Sequence, residues 1–163
     1  MNDSKLNEKA WKIRPIKNGI VVDHIVAGQV LNVCKILKIL PGSEKVVSIA
    51  MNVDSKRLGR KDILKIEGRK IEDVTEIAKI AIISPDATVN VIEDFQVKEK
   101  GQVEIPSEII GIIKCPNPSC ISNAPEEPVK TKFQKEKRGS EIFFSCLYCG
   151  YIIYPNEIAS AII

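Results

Sequence analysis

Histidine occurs once in this chain, at His24, and aromatic residues make up only 5% of it. Imidazole chemistry is therefore confined to one position, and no nucleophile–histidine pairing stands out. No glycine-rich phosphate loop or nucleophile elbow is present. Nowhere do apolar residues run for the ~20 positions that a bilayer crossing needs. No charged-then-apolar leader is visible, so the expected location is cytoplasmic, with no membrane partner. The net charge of +3 is too small to predict a nucleic-acid partner by itself. An enzyme is the poorest reading: the remaining acid–base candidates are scattered carboxylates that nothing singles out.

Cysteine is the exception. Cys115, Cys120, Cys146 and Cys149 form a C-x4-C-x25-C-x2-C pattern. Two close pairs a few tens of residues apart suit one tetrahedral zinc ion, since each pair puts two thiolates on one tight turn. Pro116 and Pro118 stiffen the first turn, and Gly150 lets the chain curl back after the second. Two disulfides are the rival pairing, disfavoured without a secretory leader. Four sulfur ligands leave no place for water, so the zinc is expected to be structural. It would add folding energy to residues 101–163, a stretch near the size at which a core alone is marginal. That stretch carries a slight excess of acidic residues, whereas residues 1–100 carry a basic excess. Four thiolates on one divalent ion add about two more negative charges. An acidic metal unit is a poor match for a phosphate backbone.

Residues 1–12 are polar and lysine-rich around Trp11, which predicts a mobile tail. Ile13–Val26 reads as strand through its β-branched run. Gly28–Leu40 reads as helix, with Val30, Val33, Cys34 and Leu37 on one stripe and Pro41-Gly42 ending it. Cys34 on that stripe reads as a small core residue. Strands are expected at Lys45–Val53, Gly59–Glu67 and Thr88–Val97, and a helix at Glu72–Ile83 with Val74, Ile77, Ala78 and Ala81 on one face. This order is the ferredoxin-like βαββαβ pattern, an antiparallel sheet with two helices on one face, so the fold class is α+β. Lys98–Pro106 reads as a linker. A small zinc-bound antiparallel β unit of rubredoxin or zinc-ribbon type follows. Its expected strands are Ile109–Lys114, Ile142–Ser145 and Tyr151–Tyr154, and Pro125–Gly139 is an expected charged loop.

In such a sheet the first and third strands are neighbours, so Asp23-His24 and Lys65 fall close together. On the face without helices, Asp23 could accept from ribose hydroxyls, and Lys65 with Lys17, Lys61 and Lys100 could meet phosphate. An ordinary solvated sheet face is the plainer account of the same residues. The RNA-recognition fold shares the topology, but its third-strand aromatics are missing from Lys61–Ile66. A nucleic-acid-binding zinc-ribbon protein and a small-molecule sensor acting on some other enzyme remain as alternatives.

Four stretches together carry a resemblance. They are Gly19-Ile20-Val21-Val22-Asp23-His24-Ile25, Gly59-Arg60-Lys61-Asp62-Ile63-Leu64-Lys65-Ile66-Glu67, Ala87-Thr88-Val89-Asn90-Val91-Ile92, and Cys115-Pro116-Asn117-Pro118-Ser119-Cys120-Ile121-Ser122 with Cys146 and Cys149. With these the chain resembles the aspartate carbamoyltransferase regulatory chain, over about residues 13–155. The resemblance implies a non-catalytic subunit of pyrimidine biosynthesis. Residues 13–100 would bind the nucleotide effectors CTP, ATP and UTP, and residues 101–163 would hold zinc and contact the catalytic chain. Regulatory dimers would bridge catalytic trimers, the two sites being coupled allosterically. By position, Ile13 and Ile16 would line the base pocket. Asp23 and Lys65 would reach ribose and base, and His24 and Lys100 the phosphates. Asn90, Ile92, Phe95 and Val97 would complete the wall, with Lys61 close by. Arg14 stands where the best-known members are acidic, and Phe95 where they have tyrosine, which bears on nucleotide preference.

Overall fold

Apolar side chains at Ile20 and Val22 alternate with Val21 and Asp23 along strand β1 (Gly19–Val26), and this alternation decides which side of the first sheet is buried. The structure is a computed structural model that describes residues 13–71 and 74–163, with only the backbone of Val74. The expected tail with Trp11, and the acids Glu72 and Asp73, lie outside these residues.

Around β1 run β2 (Val47–Ser55), β3 (Gly59–Glu67), β4 (Thr88–Glu93) and β5 (Gln96–Gln102), in the order β2-β3-β1-β4-β5 with every neighbour antiparallel. Helices α1 (Val30–Ile36) and α2 (Val74–Ile83) cover one face, giving the expected ferredoxin-like arrangement. The predicted stripe Val30, Val33, Cys34 and Leu37 is buried against Ile20, Val22, Leu64 and Ile66. The helix itself is shorter than its pattern, because Lys38, just past the C-cap Leu37, turns left-handed at φ 53°.

Two of the three register shifts in this sheet lie beside one residue of β3, the third being in the β4–β5 pair between Val91 and Ile92. Register slips between Val22 and Ile25 on β1, and between Ala50 and Val53 on β2, at left-handed His24 and Asn52. Between them sits Asp62, which is 0% exposed. Its Oδ2 accepts from the backbone N–H of Gly28 at 2.8 Å and of Val30 at 3.1 Å, and its Oδ1 from Asn52 N–H at 2.7 Å. One carboxylate thus ties the entry to α1 and the β2 bulge to β3.

The expected linker Lys98–Pro106 is corrected: Lys98–Gln102 belongs to β5, and β4 and β5 form a hairpin through left-handed Asp94 and Phe95. Every residue of β5 is exposed, so hydrophobic period gave no sign of it. The second sheet runs β6 (Glu108–Ile110), β7 (Lys132–Arg138), β8 (Glu141–Cys146), β9 (Ile152–Ile153). The expected charged loop Pro125–Gly139 is corrected as well, since its second half is β7, an edge-like sequence whose one buried side chain is Phe133. The chain then forms α3 (Pro155–Ala161), which sequence reading missed. Its signal was Pro155 in the first turn with Glu157 two residues on. The Glu157 carboxylate accepts from Tyr154 N–H at 3.0 Å.

Phe133, Phe144, Ile109, Ile113, Ile153 and Ile158 make a second core, and α2 contributes Ile82 to it. Ile105 and Ile162 pack against both cores.

Replacing Asp62 by alanine takes the acceptor from three backbone N–H groups, buried at Val30 and part-buried at Gly28 and Asn52, where a fully buried stranded group costs about 1–3 kcal/mol and a part-buried one less. The expected loss is about 3–5 kcal/mol, read as a lowered denaturant midpoint in urea. Asp62→Asn, which keeps one acceptor, is expected to lose less.

Candidate metal centre and ligand-binding face

Cross-strand register assembles one row over the helix-free face. Ser48 pairs with Lys65, Lys65 with Val21, Val21 with Asn90, and Asn90 with Lys100, so these five share a face across all five strands. One step along the strands, Asp23 pairs with Thr88. In the other direction Gly19 pairs with Ile92, and Ile92 with Val97.

Charges on this face are engaged with one another. Lys61 Nζ lies 2.8 Å from Asp23 Oδ1. Asp23 also accepts from His24 N–H at 2.6 Å, and His24 Nδ1 stands 3.7 Å from its other oxygen. That Nδ1 is buried without a hydrogen-bond partner among the described residues. Lys65 Nζ donates to the carbonyl of Arg14 at 3.0 Å and reaches that of Ile13 at 3.5 Å, which lays the segment before β1 against the face. Burial holds the Lys65 ammonium below its ordinary pKa, and the Asp23 carboxylate pulls it partly back. A half-desolvated lysine gains from an anion brought beside it.

The sequence-predicted residues thus gather unevenly. Asp23, His24, Lys61, Lys65, Asn90, Ile92, Val97 and Lys100 lie on adjoining register positions, and Ile13 reaches them through its carbonyl. Ile16 is buried. Phe95 sits 64% exposed at the hairpin turn, where its N–H bonds Lys17 O at 3.0 Å.

The four cysteines converge as their spacing predicts. All four sulfurs lie within 4.8 Å of one another. Cys115 and Cys149 are 3.6 Å apart, and Cys120 and Cys146 3.7 Å. A tetrahedron with zinc–sulfur bonds near 2.3 Å has edges of about 3.8 Å, so the donor set and its size fit one zinc ion. Cys115, Cys120 and Cys146 are buried in the second core, while Cys149 is at the surface. Burial raises the thiols of Cys115 and Cys146. For Cys149 burial acts the same way. Hydrogen bonds from the Tyr151 backbone, Asn117 and the neighbouring thiols outweigh it and bring it down to about 7. Zinc replaces these protons, so binding releases them and acid opposes it. The closed sulfur shell makes the ion a structural one.

Sequence reasoning missed two kinds of residue. Asp62 falls on the buried parity of β3 with Leu64 and Ile66. A carboxylate at an apolar position of an alternating strand was its signal. Ser122 and Asn123 beside the first cysteine turn gave none, since only folding brings their side chains to it.

Comparison with known proteins agrees with this layout. Residues 11–104 match the family described as aspartate carbamoyltransferase regulatory chain, allosteric domain. Residues 107–159 match the metal binding domain of the same chain. A relative from Staphylothermus marinus is 46% identical over 97% of this chain and 96% of its own. One from Methanococcoides burtonii is 50% identical over 87% of each. One from Archaeoglobus fulgidus is 49% identical over 85% and 90%. Each is named aspartate carbamoyltransferase regulatory chain.

One zinc per chain is expected by elemental analysis. Cys146→Ser should weaken zinc by more than the about 100-fold that loss of a supporting residue costs. Chelator competition measures this, and zinc retention should also fall as the pH is lowered. Full metal content in the variant would contradict the assignment.

Proposed function

Because the chain belongs to the family of aspartate carbamoyltransferase regulatory chains, we propose that its helix-free sheet face binds nucleotide effectors and that its metal unit carries the signal to a catalytic chain. Residues 13–100 form the effector-binding part and residues 101–163 the part that meets the catalytic chain. The chain itself catalyses nothing, works in the cytoplasm, and pairs with a second copy to bridge catalytic subunits. It sets their activity in pyrimidine synthesis. Among the described residues, no helix is long and apolar enough to cross a membrane.

The row from Lys65 through Asn90 to Lys100, with Asp23 and Lys61 one step away, carries this reading. It spans three interstrand gaps, about 14 Å, a length suited to an extended nucleotide. Asp23 accepts from ribose hydroxyls, Lys65 serves ribose and base, and Lys100 and His24 face the phosphates. Asn90 offers both a donor and an acceptor to a base edge. Ile13, Ile16, Ile92, Val97 and Phe95 supply apolar wall. CTP, ATP and UTP all fit this chemistry. The row holds no aromatic side chain on which single-stranded bases would stack, which speaks against the nucleic-acid alternative.

Beside the second cysteine turn, Leu147, Tyr148, Tyr151 and Ile152 remain exposed, an apolar and aromatic surface of the kind that protein partners cover. The metal holds the turn that displays it.

Lys100→Ala is expected to weaken nucleotide binding about ten- to a hundredfold, because a charged partner of the phosphates is lost. The melting temperature should not change. Calorimetric titration decides this, and unchanged affinity removes Lys100 from the site. Cys146→Ser is expected not to co-purify with the catalytic chain. Normal co-purification would show that the metal does not shape the docking surface.

A further inference from the structure

The two cysteine turns are built differently. The second is closed by backbone alone: Gly150 N–H bonds Cys146 O at 2.8 Å with Gly150 at φ 75°, and Cys146 N–H bonds Tyr151 O at 2.8 Å. The first is longer and contains two prolines, so positions 116 and 118 have no N–H to donate. Of the N–H groups left in the turn, that of Cys120 closes back on Asn117 O at 3.0 Å, and the Cys115 carbonyl is met from outside the turn, because polar groups packed beside a core cost free energy when left alone.

Asn123 meets the Cys115 carbonyl and is a second donor to that of Asn117. Its side-chain amide donates to the carbonyl of Cys115 at 2.8 Å and to that of Asn117 at 2.8 Å, using both of its N–H bonds. Its own backbone N–H bonds Cys120 O at 2.9 Å. One residue therefore clamps the turn at its first ligand, its middle and its second ligand. The neighbouring Ser122 hydroxyl lies 3.1 Å from Cys120 Sγ. Once that sulfur is a thiolate on the metal, the hydroxyl is the donor and the sulfur the acceptor. Within the turn Asn117 adds a local brace, its side chain accepting from Ser119 N–H at 3.0 Å.

We propose that Asn123 is the positioning residue of the zinc site, with Ser122 as a lesser partner. The Asn123 amide holds Cys115 and Cys120 at ligand separation in a turn that proline leaves two donors short, and Ser122 spreads the charge of the Cys120 thiolate. This concerns metal retention and does not depend on which effector the sheet face takes. Asn123 touches no zinc itself and acts through the two cysteines.

The test follows zinc leaving the full-length, zinc-loaded protein for a chromogenic chelator, well below the melting temperature. Asn123→Ala is expected to release zinc at least about tenfold faster, the range that supporting residues of metal sites command. Asn123→Ser, with one donor in place of two, should fall between Ala and wild type. Ser122→Ala should release zinc only a few-fold faster. Asn156→Ala, on α3 across a cleft from Asn123, should behave as wild type. Cobalt in place of zinc gives a second reading: Asn123→Ala should keep thiolate-to-cobalt charge transfer while its ligand-field bands shift. Recovery of Asn123→Ala free of metal, with Asn123→Ser loaded but leaky, supports the same conclusion. Release within twofold of wild type, or no faster than from Asn156→Ala, overturns it. So does equal release from the Ala and Ser variants.

Discussion

A carboxylate shut away from water has to be met by hydrogen-bond donors, and how many it meets decides how much structure it organises. Asp62 meets three, from the entry to α1 and from the bulge of β2. Its neighbours on either side in the sequence, Lys61 and Ile63, point to the opposite face by the alternation of the strand. The residue that seals the core on one side therefore fixes where Lys61 stands on the other. Lys61 in turn holds Asp23. The slip in register that turns His24 left-handed lies across from the same point on β3. The helix-free face inherits its geometry from a carboxylate buried beneath it.

The metal plays the corresponding part in the second sheet. Three of its four ligands are members of the core that also contains Phe133 and Phe144, so the ion is continuous with packing. A small sheet with a two-residue last strand has little else to define its shape. Zinc fixes the two turns, and the turns present the exposed tyrosines around Cys149. The shape of that exposed surface is thereby linked to occupancy of the metal site.

Much of this was legible beforehand wherever burial leaves a period. The Val30, Val33, Cys34, Leu37 stripe and the alternation in β1 and β3 carried the first sheet, and cysteine spacing carried the metal centre. Lys65 and Asn90 could be set on one face once the strand order was known, because register follows from which face is apolar, whereas Lys100 on β5 could not. Strand β5 was read as linker because a strand exposed on both faces has no period at all. Strand β7 hid for the same reason, its charges masking a single anchor at Phe133. Asp62 could have been found, since it interrupts an apolar parity. Asn123 could not, for a clamp made across eight residues onto backbone carbonyls leaves no trace in spacing.

Helix α2 belongs by connectivity to the first sheet, yet Ile82 sits in the core of the second. Lys79 on the same helix bonds the carbonyl of Ile163 at 3.2 Å. The halves are thus joined by more than the short stretch of chain between β5 and β6. Severing that stretch would leave the metal-bearing piece with a hole where Ile82 belongs and the other piece with an isoleucine bared to water. A scissors cut at the obvious place in the chain runs through the middle of a wall.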